Sequence, residues 1–228
     1  MANVDLVIFD VAGTTAKDDG LVVKAFQLAM EQEGVPLVSN TMAEVSRVLL
    51  ETMGQRKIDV FRLICQGNQT KAERVHGKFI HSYAEMVGKG ELEEIEGVST
   101  LFKTLRNKRI GIAITSGFPR ALLDRIIDGL NWRGEIHVSV ASDEVDNGRP
   151  APDLIYKSIS RYEELMHKKI ELDHVMVIGD TDSDIKSGVA AGARYVVGVL
   201  TGAHPKSELQ ANGATHIVSS APLIEELL

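Results

Sequence analysis

Residues 4–15 read VDLVIFDVAGTT, and the order of residue kinds in this stretch decides the fold. A short apolar run ends at Asp10 and gives way to the small residues AGTT. A strand with one wet face alternates apolar and polar residues, whereas a continuous run suits a strand buried on both faces of a parallel sheet. The pattern returns at residues 110–114 (IGIAI), 137–140, 175–178 (VMVI) and 195–199 (YVVGV). Between these runs, residues 100–108, 119–130 and 154–166 read as helices, and strands alternating with helices at this spacing predict a doubly wound sheet.

The segment from about residue 20 to residue 90 breaks the alternation. It has no strand-like run and reads as helices over 21–33, 41–52, 55–65 and 71–87, after which Gly88, Gly90 and Gly97 mark the return to the earlier rhythm. The expected fold is therefore α/β: a Rossmann-like doubly wound parallel sheet core, residues 1–18 and 92–228, with an inserted α-helical cap domain, residues 19–91.

Composition narrows the partners. The chain has 228 residues, 44% hydrophobic and 25% charged, with a formal charge of −7, which gives no electrostatic reason to expect nucleic acid or an anionic membrane surface. No apolar run approaches the roughly 18 residues that span a bilayer, and the first residues show no basic leader. The single cysteine, Cys65, excludes an internal disulfide and fits a reducing compartment. These features predict a cytoplasmic protein, monomer or homodimer, whose partner is a small molecule.

In open parallel sheets, ligands gather beyond the carboxyl ends of the strands. Asp10 follows VIF, Ser116 follows IAIT, Asp180 follows VMVIG, and Arg149 lies in the loop NGRPAP. Asp10 can serve as a nucleophile toward phosphorus and as a metal ligand. Asp180 adds a second carboxylate and Asp184 a third, through a water or from behind the ligands; such hard oxygens suit Mg²⁺. Ser116 offers a hydroxyl and Arg149 a cation for phosphoryl oxygens, and the amides of Ala12 and Gly13 offer further donors. Each residue also has an ordinary use, since strand-end aspartates cap helices and turns and a loop arginine can be solvated. Their joint occurrence, in order, favours a phosphoryl-transfer site.

DVAGTT at 10–15, TSG at 115–117, GRPAP at 148–152 and GDTDSD at 179–184 together resemble the four motifs of the haloacid dehalogenase superfamily, and the resemblance covers the whole chain, helical insert included. It implies that Asp10 becomes an aspartyl phosphate. Ser116, Gly117 and Arg149, with Ala12 and Gly13, would bind the phosphoryl group, while Asp10, the Ala12 carbonyl, Asp180 and Asp184 would hold Mg²⁺.

Ala12 stands where most phosphatases of that superfamily carry a second aspartate, the acid that protonates a leaving alcohol. The form DxAGTT resembles the phosphonatase (phosphonoacetaldehyde hydrolase) branch, in which a cap lysine forms a Schiff base with an aldehyde before the C–P bond breaks. MGQRKIDVFR at 53–62 resembles that branch's cap motif and places the lysine at Lys57, with Met53 approaching it. Helix geometry points to the same residue: at about 100° per residue from Met53, Ile64 falls near 20°, Lys57 near 40° and Phe61 near 80°, so Lys57 sits within an apolar arc. Desolvation there raises its neutral, nucleophilic fraction; a snorkelling ammonium and plain binding of a phosphate or carboxylate are the other uses open to it. Three positions depart from the branch: Val60 replaces a histidine, Phe118 a tyrosine and Gly20 a cysteine. The expected activity is a Mg²⁺-dependent hydrolase acting on a small phosphonate or phosphate metabolite. A phosphatase in which Lys57 only binds substrate, or a non-catalytic phospho-ligand-binding module, are the rival readings. The seven histidines show no zinc-site spacing and are read as packing or surface residues.

Overall fold

The computed structural model describes residues 3–34 and 47–228. Six parallel strands form one sheet in the order β3-β2-β1-β4-β5-β6: β1 Leu6–Phe9, β2 Gly111–Ser116, β3 Val138–Ala141, β4 Val175–Gly179, β5 Tyr195–Val199 and β6 His216–Val218. Strands β1, β2 and β4 are buried along their whole lengths, which is why they appear in sequence as unbroken apolar runs. Alternate residues serve opposite layers. Val7 and Phe9 of β1 join one apolar cluster, and Leu6 and Ile8 join the other.

The second cluster packs against α6 (Asp153–Met166) and α7 (Asp182–Ala191) through Ile155, Ile159 and Ile185. The first packs against α4 (Val98–Asn107) and α5 (Arg120–Gly129), where Leu101, Phe102, Leu123 and Ile126 are fully buried. It then continues into α1 (Leu21–Gln32), α2 (Lys57–Ile64) and α3 (Gln69–Gly88). A line of rings marks that continuation: Phe26 stacks on Phe61 at 4.6 Å between centroids, Phe61 lies 5.6 Å from Phe79, and Tyr83 lies 4.9 Å from Phe118 at the end of β2.

The helices expected over 21–33 and 71–87 form within a residue or two of those bounds. Of the helix expected over 41–52, residues 41–46 lie outside the described residues and 47–51 are helical. One expectation is corrected and two elements went unread. The helix carrying Lys57 begins at that residue, because Gly54 turns the chain at φ 78°; Met53 therefore precedes the helix. The short edge strand β6 and helix α8 (Lys206–Ala211) had no reading in the sequence. Among the described residues, no helix is long and apolar enough to cross a membrane.

Candidate active site

Strand order explains why distant motifs meet. Strand β1 lies between β2 and β4, with Phe9 in register with Ile114 on one side and Ile178 on the other. The next residues at the carboxyl edge are therefore Asp10, Thr115 with Ser116, and Gly179 with Asp180. The Asp10 amide extends the ladder by donating to the Ile178 carbonyl at 3.0 Å. The chain then curls tightly, with the amides of Thr14, Thr15 and Ala16 all donating to the Val11 carbonyl.

Asp10, Asp180 and Asp184 are all buried, and each offers a carboxylate oxygen within 4.8 Å of the others. Thr14 donates to Asp180 Oδ1 at 2.8 Å, and the Ala203 amide donates to its Oδ2 at 2.9 Å. Gly13 (φ 85°) and Gly202 back the same carboxylate so closely that a Cβ at either would fall 2.5 Å or 1.9 Å from Asp180 Oδ2. Asp184 has two tasks. Its Oδ2 accepts from the Thr181 amide and hydroxyl in a capping box that starts α7. Its Oδ1 is buried and makes no hydrogen bond among the described residues, although Arg149 Nε stands 3.0 Å away, out of line.

Arg149 is itself buried and threads between the carboxylates. It donates to Asp10 Oδ1 at 2.6 Å and to the Thr115 hydroxyl at 2.6 Å, and approaches the Gly54 carbonyl at 3.4 Å. Burial pushes the Asp10 carboxyl well up; the Arg149 charge opposes the rise, and the charges of Asp184 and Asp180 add to it. Asp180 rises to about 6 through burial and its neighbour Asp184. Two confined carboxylates that resist ionisation, Asp10 and Asp180, beside a third, Asp184, with an unbonded oxygen, fit a hard divalent cation.

Lys57 is buried at 5% exposure. Its Nζ is 3.4 Å from the Gln55 carbonyl, and its amide donates to the Gly117 carbonyl at 3.4 Å. Burial lowers its pKa to about 8, against the raising influence of Asp10 and Asp18. Lys57 shares a small space of about 30 Å³ with Asp10, Ser116, Phe118 and Met53. The space is small because the segment around Gly54 packs closely over Asp10. Ala12 and Met53 also line a neighbouring cavity of about 550 Å³, together with Asp18 and Asp180. The Ser116 hydroxyl accepts from the Phe118 amide at 3.1 Å, and its proton remains available for a ligand.

The Gly13 amide does not offer itself to a phosphoryl oxygen as expected, because it donates to the Ala16 carbonyl at 2.8 Å. The amide of Ala12 remains. The sequence reading also missed Thr14, Thr115, Gly54 and Gly202. Thr14 and Thr115 stand inside quoted motifs and Gly54 inside the cap motif, so the signal was present; Gly202 follows an unmarked strand end.

A parallel α/β sheet whose central strand ends carry a buried cluster of Asp10, Asp180 and Asp184 beside Arg149 fits the hydrolases of the haloacid dehalogenase class. The chain belongs to that family: residues 7–198 match the haloacid dehalogenase-like hydrolases. It is 30% identical to a phosphonoacetaldehyde hydrolase of Bacillus cereus (strain G9842) over 221 residues, covering 87% of this chain and 76% of that one. Among solved structures, it is similar to a hydrolase from Pseudomonas syringae (TM-score 0.82, 21% identity, 97% of this chain and 96% of that one). It is likewise similar to a phosphonoacetaldehyde hydrolase-like protein from Oleispira antarctica (TM-score 0.81, 21% identity, 99% and 91%).

Proposed function

We propose that this hydrolase takes a phosphoryl group from a small phosphonate or phosphate metabolite onto Asp10 and then passes it to water, with Lys57 first condensing with a substrate carbonyl. Residues 19–91 act as a cap over the core of 1–18 and 92–228. The observation that carries the reading is that Lys57 and Asp10 line one small space. A lysine amine and a carboxylate lining the same small volume can act on a carbonyl carbon and on a phosphorus atom held one carbon away from it.

In this reading, Lys57 Nζ attacks the carbonyl carbon, water departs, and an iminium ion forms. Asp10 then attacks phosphorus, the C–P bond breaks, and its electron pair moves into an enamine on Lys57. Ser116, the Ala12 amide and Arg149 hold the phosphoryl oxygens, which requires Arg149 to loosen its grip on Asp10. Water hydrolyses the aspartyl phosphate, and protonation and hydrolysis of the enamine return Lys57. Asp10, Asp180 and Asp184, with the Ala12 carbonyl, would hold Mg²⁺, which supplies positive charge to offset the phosphoryl oxygens.

Ala12 supports this route, because carbon departing as an enamine needs no acid at that position. A relative 30% identical is named for hydrolysis of phosphonoacetaldehyde. A second reading, a phosphatase in which Lys57 stays protonated and binds substrate, is favoured by the pKa of about 8, which leaves most of the side chain charged at neutral pH. Borohydride added with phosphonoacetaldehyde and Mg²⁺ separates the two. The first predicts a reduced adduct on Lys57 and release of phosphate, with phosphate release lost in Asp10→Asn and the adduct lost in Lys57→Arg. Phosphate release from esters alone, with no adduct, would overturn the Schiff-base route.

A further inference from the structure

Arg56 stands immediately before Lys57, the first residue of α2, yet it lines neither space at the site. Its side chain reaches instead to the core loop that leads into Arg149. There Nη2 donates to the Val145 carbonyl at 2.6 Å and Nη1 to the Asp146 carbonyl at 3.1 Å. Among the described residues, neither carbonyl has another donor. Glu144, at the start of the loop, is held by Arg120 and Arg161, and the Asn147 amide by Asp153. Arg56 therefore fixes the stretch between those anchors, and does so from the helical insert. Gly148 makes room for it: a Cβ there would lie 2.9 Å from Arg56 Cβ. An arginine left to the surface would extend into water. This one is only 17% exposed, and its buried Nε makes no hydrogen bond among the described residues, a pose that costs stability.

We propose that Arg56 is a positioning residue: by clamping residues 145–148 against the insert, it sets the backbone from which Arg149 reaches Asp10. One contact then delivers both Lys57, its neighbour in sequence, and Arg149, the neighbour of Gly148, to the same carboxylate. The proposal rests on the reading above in one respect, that Arg149 holds phosphoryl oxygens. In that reading the Arg149 guanidinium exchanges Asp10 for a phosphoryl oxygen, and a fixed backbone confines the exchange to the side chain, so that the new hydrogen bonds form in line. The planar guanidinium of Arg56 presents its donors to two successive carbonyls, a match that a lysine ammonium lacks.

The test compares wild type with Arg56→Met, which keeps an apolar stem but no donor, by titrating the full chain first with Mg²⁺ alone and then with inorganic phosphate in the presence of Mg²⁺. Because Arg56 acts through Arg149, the affinity for phosphate should fall about tenfold, while that for Mg²⁺ stays within about twofold. The value of kcat/KM for phosphonoacetaldehyde should fall about as far as the phosphate affinity. Arg56→Lys, which keeps the charge and one donor, should lose only about threefold, and it carries the same comparison if Arg56→Met does not fold. Equal losses for Mg²⁺ and phosphate would overturn the assignment, by showing that the side chain supports the site as a whole. Unchanged phosphate affinity would overturn it as well, and both results leave the hydrolase reading standing. Wild type that neither binds phosphate nor releases it from phosphonoacetaldehyde or phenyl phosphate would defeat the hydrolase reading and this assignment with it.

Discussion

Lys57 keeps an ammonium group where little water reaches, and that arrangement has a measurable cost. Its pKa falls from 10.5 to about 8, a difference worth about 3 kcal/mol against the charged form. The penalty is present in full below pH 8, where the lysine is charged in both folded and unfolded chains. It is lifted as pH rises from about 8 toward 10.5, because only the unfolded chain still holds the proton there. Lys57→Met should therefore be more stable than wild type at pH 7, by about 1–3 kcal/mol, the lower end applying because Asp10 and Asp18 lose a compensating charge. The gain should shrink by pH 10. Urea unfolding at the two pH values measures both, and a variant less stable than wild type at pH 7 would show that the cation is well compensated. The same variant should form no borohydride adduct. Sequence alone placed Lys57 in an apolar arc, but it had no access to the carboxylates that oppose its deprotonation, Asp10 and Asp18, since they come from the distant stretch that follows β1.

The segment from Met53 to Lys57 shows how an element can be legible in kind and misplaced in extent. Its apolar spacing reads as helix, and helix follows, but Gly54 holds a left-handed turn before it. The need for glycine is set across the site: a Cβ there would lie 2.4 Å from Thr181 Oγ1, the cap of α7. Gly117 meets the same segment from the other side, where a Cβ would lie 2.6 Å from the Gln55 carbonyl. Gly54→Ala should therefore disturb the closure over Asp10 and lower kcat/KM at least tenfold. Gly67 supplies the control. Its φ is 80° but a Cβ there meets nothing within 4 Å, so Gly67→Ala should cost only the backbone strain, about 1 kcal/mol, with activity near wild type. Equal losses of activity in both variants would show that backbone strain alone, not contact with Thr181, accounts for the Gly54 result. The strands were the most legible elements because burial on both faces writes itself as an apolar run. Strand β6 has only three residues, all half-buried, and leaves no such mark.

At the scale of the whole molecule, the strand order converts separated motifs into one centre. Because β1 is flanked by β2 and β4, the residues just past three strand ends must converge, and the carboxylates of Asp10, Asp180 and Asp184 meet within 4.8 Å. The alternating runs predict such a sheet, but which strands are neighbours is not written in them and is set by the packing of the whole chain. This convergence has a pH signature. Burial raises Asp180 from 3.8 to about 6 and Asp10 well above its ordinary value. A raised carboxylate pKa favours the folded state fully below the unfolded value, and that contribution is lost as pH rises through the folded one. The metal-free protein thus gives up stability through this cluster between about pH 4 and pH 6 and above, where a divalent cation replaces the departing protons. Saturating Mg²⁺, at about a hundred times its dissociation constant, should contribute about 2.7 kcal/mol, or roughly 5–10 °C in melting temperature for a chain of this size. The shift should be large at pH 7.5, small at pH 5, and lost in Asp180→Asn at both. The variant should also melt higher than wild type without Mg²⁺ at pH 7.5, since it removes one of the crowded negative charges. Differential scanning fluorimetry over this pH range reads all of these, and a wild-type shift independent of pH and shared by Asp180→Asn would place the cation outside the cluster.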